Sequence, residues 1–237
     1  MKGYSLINRP ESINFSDMPT QGRRVGDPLL PRRPQRANGV ARFNALIDAA
    51  ERLIARSGAE ELSIASIAAE AATPAASVYH FFPTPTAAQI AVAERHIGKV
   101  VEVVSRPVRK TGDLTPIGML VRLMRRAAKY YNDHPVASRM ILGSSKLQRV
   151  YQLDMEANSA LIHILCASME REFGVPASPE LASAIKIVIT LVDAVWSLSV
   201  AEVGYINPAY AEQAEKVVER YLSPIVAAAT GNIDSSQ

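Results

Sequence analysis

From residue 43 onward, apolar side chains recur at intervals of three and four. Phe43, Leu46, Ile47, Ala50, Leu53 and Ile54 share one face of an amphipathic helix, and Ser57-Gly58 closes it, glycine tolerating the left-handed turn that ends helices. Ser63 is placed to cap a short second helix over 64–71 that buries Ile64, Ile67 and Ala68. A repeated mark follows: Thr73-Pro74, Thr84-Pro85, Thr115-Pro116, Ser178-Pro179 and Asn207-Pro208 each pair a capping side chain with a proline. The side-chain oxygen accepts from an otherwise orphan N–H, and proline loses nothing in the first helical turn. These pairs predict helices over 74–81, 84–105, 116–132, 179–203 and 208–229, and periodicity adds one or two more between 136 and 173. No alternating stretch of useful strand length is present, so the predicted fold is all-α.

Before residue 42 the pattern is different. Pro10, Pro19, Pro28, Pro31 and Pro34 interrupt the segment, and each denies a donor and restricts its predecessor. Net charge is only +3 over 237 residues, yet it is unevenly spread: residues 1–42 hold eight Lys/Arg against three acids, whereas 43–96 hold three arginines against six acids. Two readings of the segment stand, a basic arm that seeks a polyanion and a solvated tail. The single cysteine, Cys166, excludes an internal disulfide. The most apolar window, 187–203, is interrupted by Asp193, where a membrane span needs about 20 mostly uncharged residues. A cytoplasmic chain without a membrane partner is expected.

The two short helices, joined by about two residues around Ala72-Thr73, have the layout of a helix-turn-helix, whose second helix enters the major groove. Thr73, Ala75, Ala76, Ser77, Tyr79 and His80 supply the outward face, with Val78, Phe81 and Phe82 turned inward. Small side chains let a helix sit deep, an alanine methyl meets a thymine methyl, and hydroxyls reach phosphate or base. On spacing alone, an ordinary helical hairpin in an all-α core fits equally well.

The run from Phe43 to His96 resembles the DNA-binding region of the TetR family of transcriptional regulators. The matching words are ALIDAAERLIARSGAEELSIASIAAEAA and ASVYHFFPTPTAAQIA: a helix ending in a glycine turn, a Ser-started helix containing Ile67-Ala68, and a recognition helix closing on Val78-Tyr79-His80-Phe81-Phe82. Ala72 and Ala76 stand where the family usually has glycine, His80 where it has tyrosine, and Pro85 where it places a phosphate-facing lysine. The resemblance implies DNA contacts through Ser63, Thr73, Ala75, Ala76, Ser77, Tyr79, His80 and Thr84. We add Arg32, Arg33 and Arg36 of the arm, placed to offset the lysine lost at Pro85 by following the backbone or entering the minor groove.

The family also implies a homodimer and a ligand pocket in the C-terminal domain. Residues 185–203 are apolar around most of the helix, which requires burial on several sides, and the last helix offers Ala211, Ala214, Val217, Val218, Tyr221 and Leu222 as a matching stripe. The last two helices are therefore the expected dimer interface, or else the centre of one subunit's core. Soft or polar residues on apolar helices are the pocket candidates: Tyr130, His134, Met140, His163, Cys166, Asp193 and Trp196, with Tyr131 and Met169 beside them. Each also fits a plain core or surface role. The effector is expected to be partly apolar.

His163 and Cys166 share a helical face but lie in the apolar run LIHILCASM, where a thiol is inert, and no phosphate-cradling loop, metal-ligand spacing or nucleophile motif accompanies them. No enzyme, cofactor or metal is expected. The predicted organisation is a basic arm over 1–41, a helix-turn-helix domain over 42–96, and a regulatory and dimerisation domain over 97–237. The expected function is a ligand-responsive repressor on a palindromic double-stranded operator. The alternative is a small-molecule-binding dimer whose helix-turn-helix no longer reads DNA specifically.

Overall fold

Capping side chains followed by proline start most of the long helices. The computed structural model describes residues 28–108, 112–144 and 147–231. Among these, every regular element is helical: α1 (Ala37–Ser57), α2 (Ile64–Glu70), α3 (Ala75–Phe81), α4 (Pro85–Ser105), α5 (Pro116–Asp133), α6 (Pro135–Ile141), α7 (Gln148–Phe173), α8 (Pro179–Val203) and α9 (Pro208–Gly231). Thr84 accepts from the Ala87 N–H (3.2 Å), Thr115 from Gly118 (3.0 Å), Ser178 from Leu181 (3.1 Å) and Asn207 from Tyr210 (3.0 Å).

The fifth pair behaves differently. Helix α3 begins at Ala75, Pro74 occupies the capping position, and Thr73 caps nothing. The Thr73 N–H instead bonds to the Ala68 carbonyl (2.9 Å), which holds this residue in the turn closing α2. In that turn Ala72 takes φ +47°, the left-handed region that explains the family's glycine at this place.

Helix α1 starts at Ala37, so the expected boundary at residue 42 falls inside it. Its first turn lacks a side-chain cap and contains Asn38-Gly39, poor helix formers, and its first buried residue is Phe43. An apolar period therefore has nothing to register before that point. Residues 28–36 are not a free arm. The Arg32 N–H donates to the Phe81 carbonyl (2.8 Å) and the Thr84 hydroxyl donates to the Pro28 carbonyl (2.9 Å), tying the segment to the α3–α4 junction. The remainder of the basic segment, 1–27, lies outside the described residues.

Phe43, Leu46, Ile47, Ile54, Ile67, Val78, Phe81 and Phe82 form the core of the N-terminal unit, with α4 as its fourth wall. The Phe43 ring meets Phe81 edge-on at 5.8 Å and Phe82 at 5.2 Å, fixing α3 against α1. Helix α4 then runs on into a larger bundle, packing on α5 and α7, while α8 and α9 form the most extensive pair.

By length and composition alone α8 would span a membrane, yet Leu181, Ile185, Val188, Val192 and Trp196 are buried within the bundle. The all-round burial expected from its sequence does not hold in a single chain. Ile187, Leu191 and Leu198 remain 42%, 41% and 57% exposed along its outer side. An intrachain bundle needs only one side of α8, and these three residues lie on the other.

Candidate nucleic-acid interface and internal cavity

The outward face of α3 follows from what pins its inward face. With Val78, Phe81 and Phe82 buried, helical geometry turns Ala75, Ala76, Tyr79 and His80 to solvent and leaves Ser77 half-buried. Tyr79 is 53% exposed. Thr73 is half-buried in the turn. Ser63 caps α2 in a reciprocal arrangement: its hydroxyl accepts from the Ser66 N–H (3.0 Å) while the Ser66 hydroxyl accepts from the Ser63 N–H (3.0 Å). Thr84 is committed twice, to Ala87 and to Pro28.

The cations sort into two groups. Arg52 and Arg56 both pair with Glu70, and Arg95 pairs with Asp48 and Glu51, so each arginine between 43 and 96 is held by a neighbouring carboxylate. Glu70 is driven down to about 2 by its hydrogen bonds from Arg56 and Arg52. Arg33, an arm candidate, is bound to Glu94 (2.5 Å). Arg36 and Arg42 instead line an open cleft between the start of α1 and α3, together with Ala76, Ser77 and His80. Arg42 was not anticipated.

Where α1, α4 and α5 meet there is a buried polar chain. His96 is 4% exposed; its Nδ1 lies 2.8 Å from the Tyr130 hydroxyl and its Nε2 lies 3.0 Å from Glu51 Oε1. Both contacts are met by one neutral tautomer, with Nε2–H donating to Glu51 and the Tyr130 hydroxyl donating to Nδ1. Glu51 is held down at about 2, chiefly by the His96 hydrogen bond and further by the Arg95 charge and hydrogen bond, against burial. Tyr130 is pushed up to about 12 by burial and by the Glu51 charge, so its hydroxyl keeps its proton. His134 stacks on Tyr130 at 4.1 Å and donates from Nδ1 to the Tyr130 carbonyl (2.8 Å). Tyr130 and His134, expected at a pocket, thus join the two halves of the molecule.

The pocket lies one helical face away. A cavity of about 100 Å³ opens between α4, α5, α7, α8 and α9. Asp193 and Trp196 line it, together with Tyr131, Asp154 and Asn158. Met140 is buried on α6 beside a separate groove with Ile54 and Leu147. His163 is exposed on α7, and Cys166 is buried, its thiol pushed up by that burial. Asp154 and Asn158 were missed. They sit at i, i+4 on the same side of α7 as Ala157, Leu161 and Leu165, where polar residues in an apolar stripe are the only signal.

Two family descriptions match this chain: "Bacterial regulatory proteins, tetR family" over residues 46–85 and "Tetracyclin repressor-like, C-terminal domain" over residues 115–226. The chain belongs to the TetR family. No curated protein matches it in sequence. Among solved structures, it is similar to a TetR-family transcriptional regulator from Streptomyces coelicolor at 19% identity and a TM-score of 0.56, covering 78% of this chain and 97% of that one. SmeT, the repressor of the Stenotrophomonas maltophilia multidrug efflux pump SmeDEF, aligns at 15% identity and a TM-score of 0.59 over 77% of this chain and 89% of its own. The fatty acid degradation regulator FadR from Bacillus halodurans gives 16%, 0.57, 78% and 96%.

TetR-family regulators bind DNA and small-molecule effectors, typically as dimers, and are generally not enzymes. Helices α2 and α3 lie within the residues matched to the tetR-family description, and α5 to α9 lie largely within those matched to the C-terminal domain. At the start of α4, where the TetR family places lysine, Pro85 opens the helix, and no cationic side chain stands there.

Proposed function

We propose that this chain is a repressor that reads a palindromic operator as a homodimer and is released when a small molecule occupies the α4–α9 cavity. The observation that carries the reading is the face of α3: Ala75, Ala76, Tyr79 and His80 turned outward, with half-buried Ser77 at their edge, on a helix locked from behind by Phe43, Phe81 and Phe82. Ala75 and Ala76 admit the helix deep into a major groove, and Ser77, Tyr79 and His80 offer hydrogen bonds to bases or phosphates. Thr73 and Ser63 flank this face as phosphate contacts made through exposed edges of the turn and of α2. The N-terminus of α4, behind Thr84, faces the same backbone. Arg32, Arg36 and Arg42 supply the positive charge that Pro85 does not, and Arg33 contributes once Glu94 releases it.

The outer side of α8 supports the dimer. Ile187, Leu191 and Leu198 recur there at helical spacing, with Val203, Tyr205 and Tyr221 exposed nearby. A second copy related by a twofold axis covers such a face with itself. Paired copies then carry their recognition helices about one turn of DNA (~34 Å), or a multiple of it, apart. The effector favours a subunit arrangement in which that spacing is lost, which requires only different affinities in the two states.

A second reading, a ligand-binding dimer that has lost specific DNA reading, is favoured by one observation: Arg52, Arg56 and Arg95 are all tied to carboxylates. Selection of the purified chain against a random duplex library separates the two. The first reading predicts one enriched palindrome whose binding is weakened by Tyr79→Ala and Ser77→Ala. Salt-sensitive binding without enrichment establishes the second.

A further inference from the structure

The cavity's lining narrows the kind of molecule it takes, a point that rests on the regulatory reading above. Leu161, Val188 and Leu222 give it aliphatic walls, and its charged lining is two carboxylates, Asp154 from α7 and Asp193 from α8. Each carboxylate offers about four acceptor sites, so whatever bonds it already makes, lone pairs remain for further donors. The field of both reaches across the space. Tyr131, wholly enclosed, has its hydroxyl raised well above its ordinary range, first by burial and then by the Asp154 and Asp193 charges, so it stays a protonated donor.

The second observation is of the opposite kind. Trp196 forms part of the cavity wall one helical turn after Asp193, is 3% exposed, and its indole Nε1–H finds no acceptor among the described residues. A buried donor without a partner is costly, and indole nitrogen can only donate. An acceptor on a bound molecule relieves that cost. The lining thus holds two carboxylates, one from α7 and one from α8, and beside Asp193 a tryptophan whose buried Nε1–H finds no acceptor among the described residues.

We propose that the effector is a small oxygenated amine: a protonated amino group directed to Asp193 and Asp154, and a hydroxyl or carbonyl oxygen on the same short skeleton accepting from Trp196 Nε1–H. A cavity of about 100 Å³ is small beside the roughly 300–1,000 Å³ of drug-sized sites, which restricts the skeleton to a few carbons. Charge makes the selection. In a site walled by leucine and valine, a carboxylate–ammonium contact is far stronger than in water, whereas an anionic ligand is repelled by both aspartates.

Calorimetric titration of the full chain with four matched probes tests this without DNA: 3-amino-1-propanol, butylamine, 1,3-propanediol and 3-hydroxypropionate. The amino alcohol should bind most tightly, roughly tenfold or more above the diol, as expected for a hydrogen bond to a charged group, and the hydroxy acid should not bind. Asp193→Asn, nearly isosteric, should remove most of the preference for the amino alcohol over the diol. Trp196→Phe should bring the amino alcohol down to the level of butylamine. Equal or tighter binding of the diol or the hydroxy acid overturns the proposal, as does failure of all four probes to bind the wild-type chain. The regulatory reading fails separately. If the amino alcohol binds as described but leaves affinity for the selected duplex unchanged, the ligand class stands and the release mechanism does not. If the diol binds better and releases DNA, the converse holds.

Discussion

His96 gives the sharpest energetic test of the fold, because its two ring nitrogens join elements distant in sequence. Replacing it with leucine keeps comparable volume but removes the 2.8 Å contact to Tyr130 and the 3.0 Å contact to Glu51. The bond to the ionised Glu51 is worth about 1.5–3 kcal/mol and the neutral one about 1 kcal/mol. The Tyr130 hydroxyl is then left in a half-dry site without an acceptor, while Glu51 keeps Arg95 and some water, which limits the loss there. A total near 3 kcal/mol is expected, or roughly 6–12 °C in Tm for a chain of this size. Denaturant unfolding of wild type, His96→Leu, Tyr130→Phe and the double variant is the assay. Tyr130→Phe should cost about 1 kcal/mol alone and close to nothing once His96 is gone, because the hydroxyl it deletes is already orphaned. A loss below about 1 kcal/mol for His96→Leu, or strictly additive variants, refutes the network as drawn.

Three further outcomes are expected. Ala72→Gly relieves a left-handed residue at φ +47° and should stabilise the chain by about 1 kcal/mol; an unchanged or lower Tm counts against the strained turn. Leu198→Glu places charge on the exposed side of α8, where a dimer face would bury it, and should shift sedimentation from dimer to monomer without lowering the monomer's helicity; a persistent dimer places the interface elsewhere. Glu51 sits at about 2 in the folded chain against an ordinary 4.5, so its contribution is complete above about pH 5 and fades as pH falls toward 2. The shift corresponds to at most about 3 kcal/mol, and to about 1–2 once solvent screening of this partly exposed group is allowed for. Glu51→Gln should therefore flatten the acid limb of the stability curve, and an identical limb contradicts the assignment.

What could be read from the sequence was mainly local. Capping residues before prolines marked α4, α5, α8 and α9 because a side chain three residues from an orphan N–H decides a helix start by itself. Thr73-Pro74 misled because α3 begins at Ala75 with Pro74 at the capping position, one residue later than the pair implies, while Thr73 belongs to the turn after α2. The start of α1 was hidden because its first turn buries nothing. The inward and outward faces of α3 were legible, since Val78, Phe81 and Phe82 set the phase.

Partners distant along the chain were not legible. Nothing local tells Tyr130 that its hydroxyl meets His96, or assigns Tyr131, the next residue, to the cavity. Adjacent helical residues point about 100° apart, so neighbours in sequence serve different sites. The same limit placed His163 among the pocket candidates although it is exposed, and passed over Asp154, which lines the cavity about two and a half turns earlier on α7.

The central claim, that two copies present α3 to one duplex, is tested most directly by hydroxyl-radical footprinting of the full chain on its selected duplex. The account predicts two equivalent protected patches on one face of the DNA, with major-groove centres about one turn or a whole multiple apart, both lost together in Leu198→Glu and both weakened in Tyr79→Ala. A single patch, patches on opposite faces, or protection that survives both substitutions would contradict it.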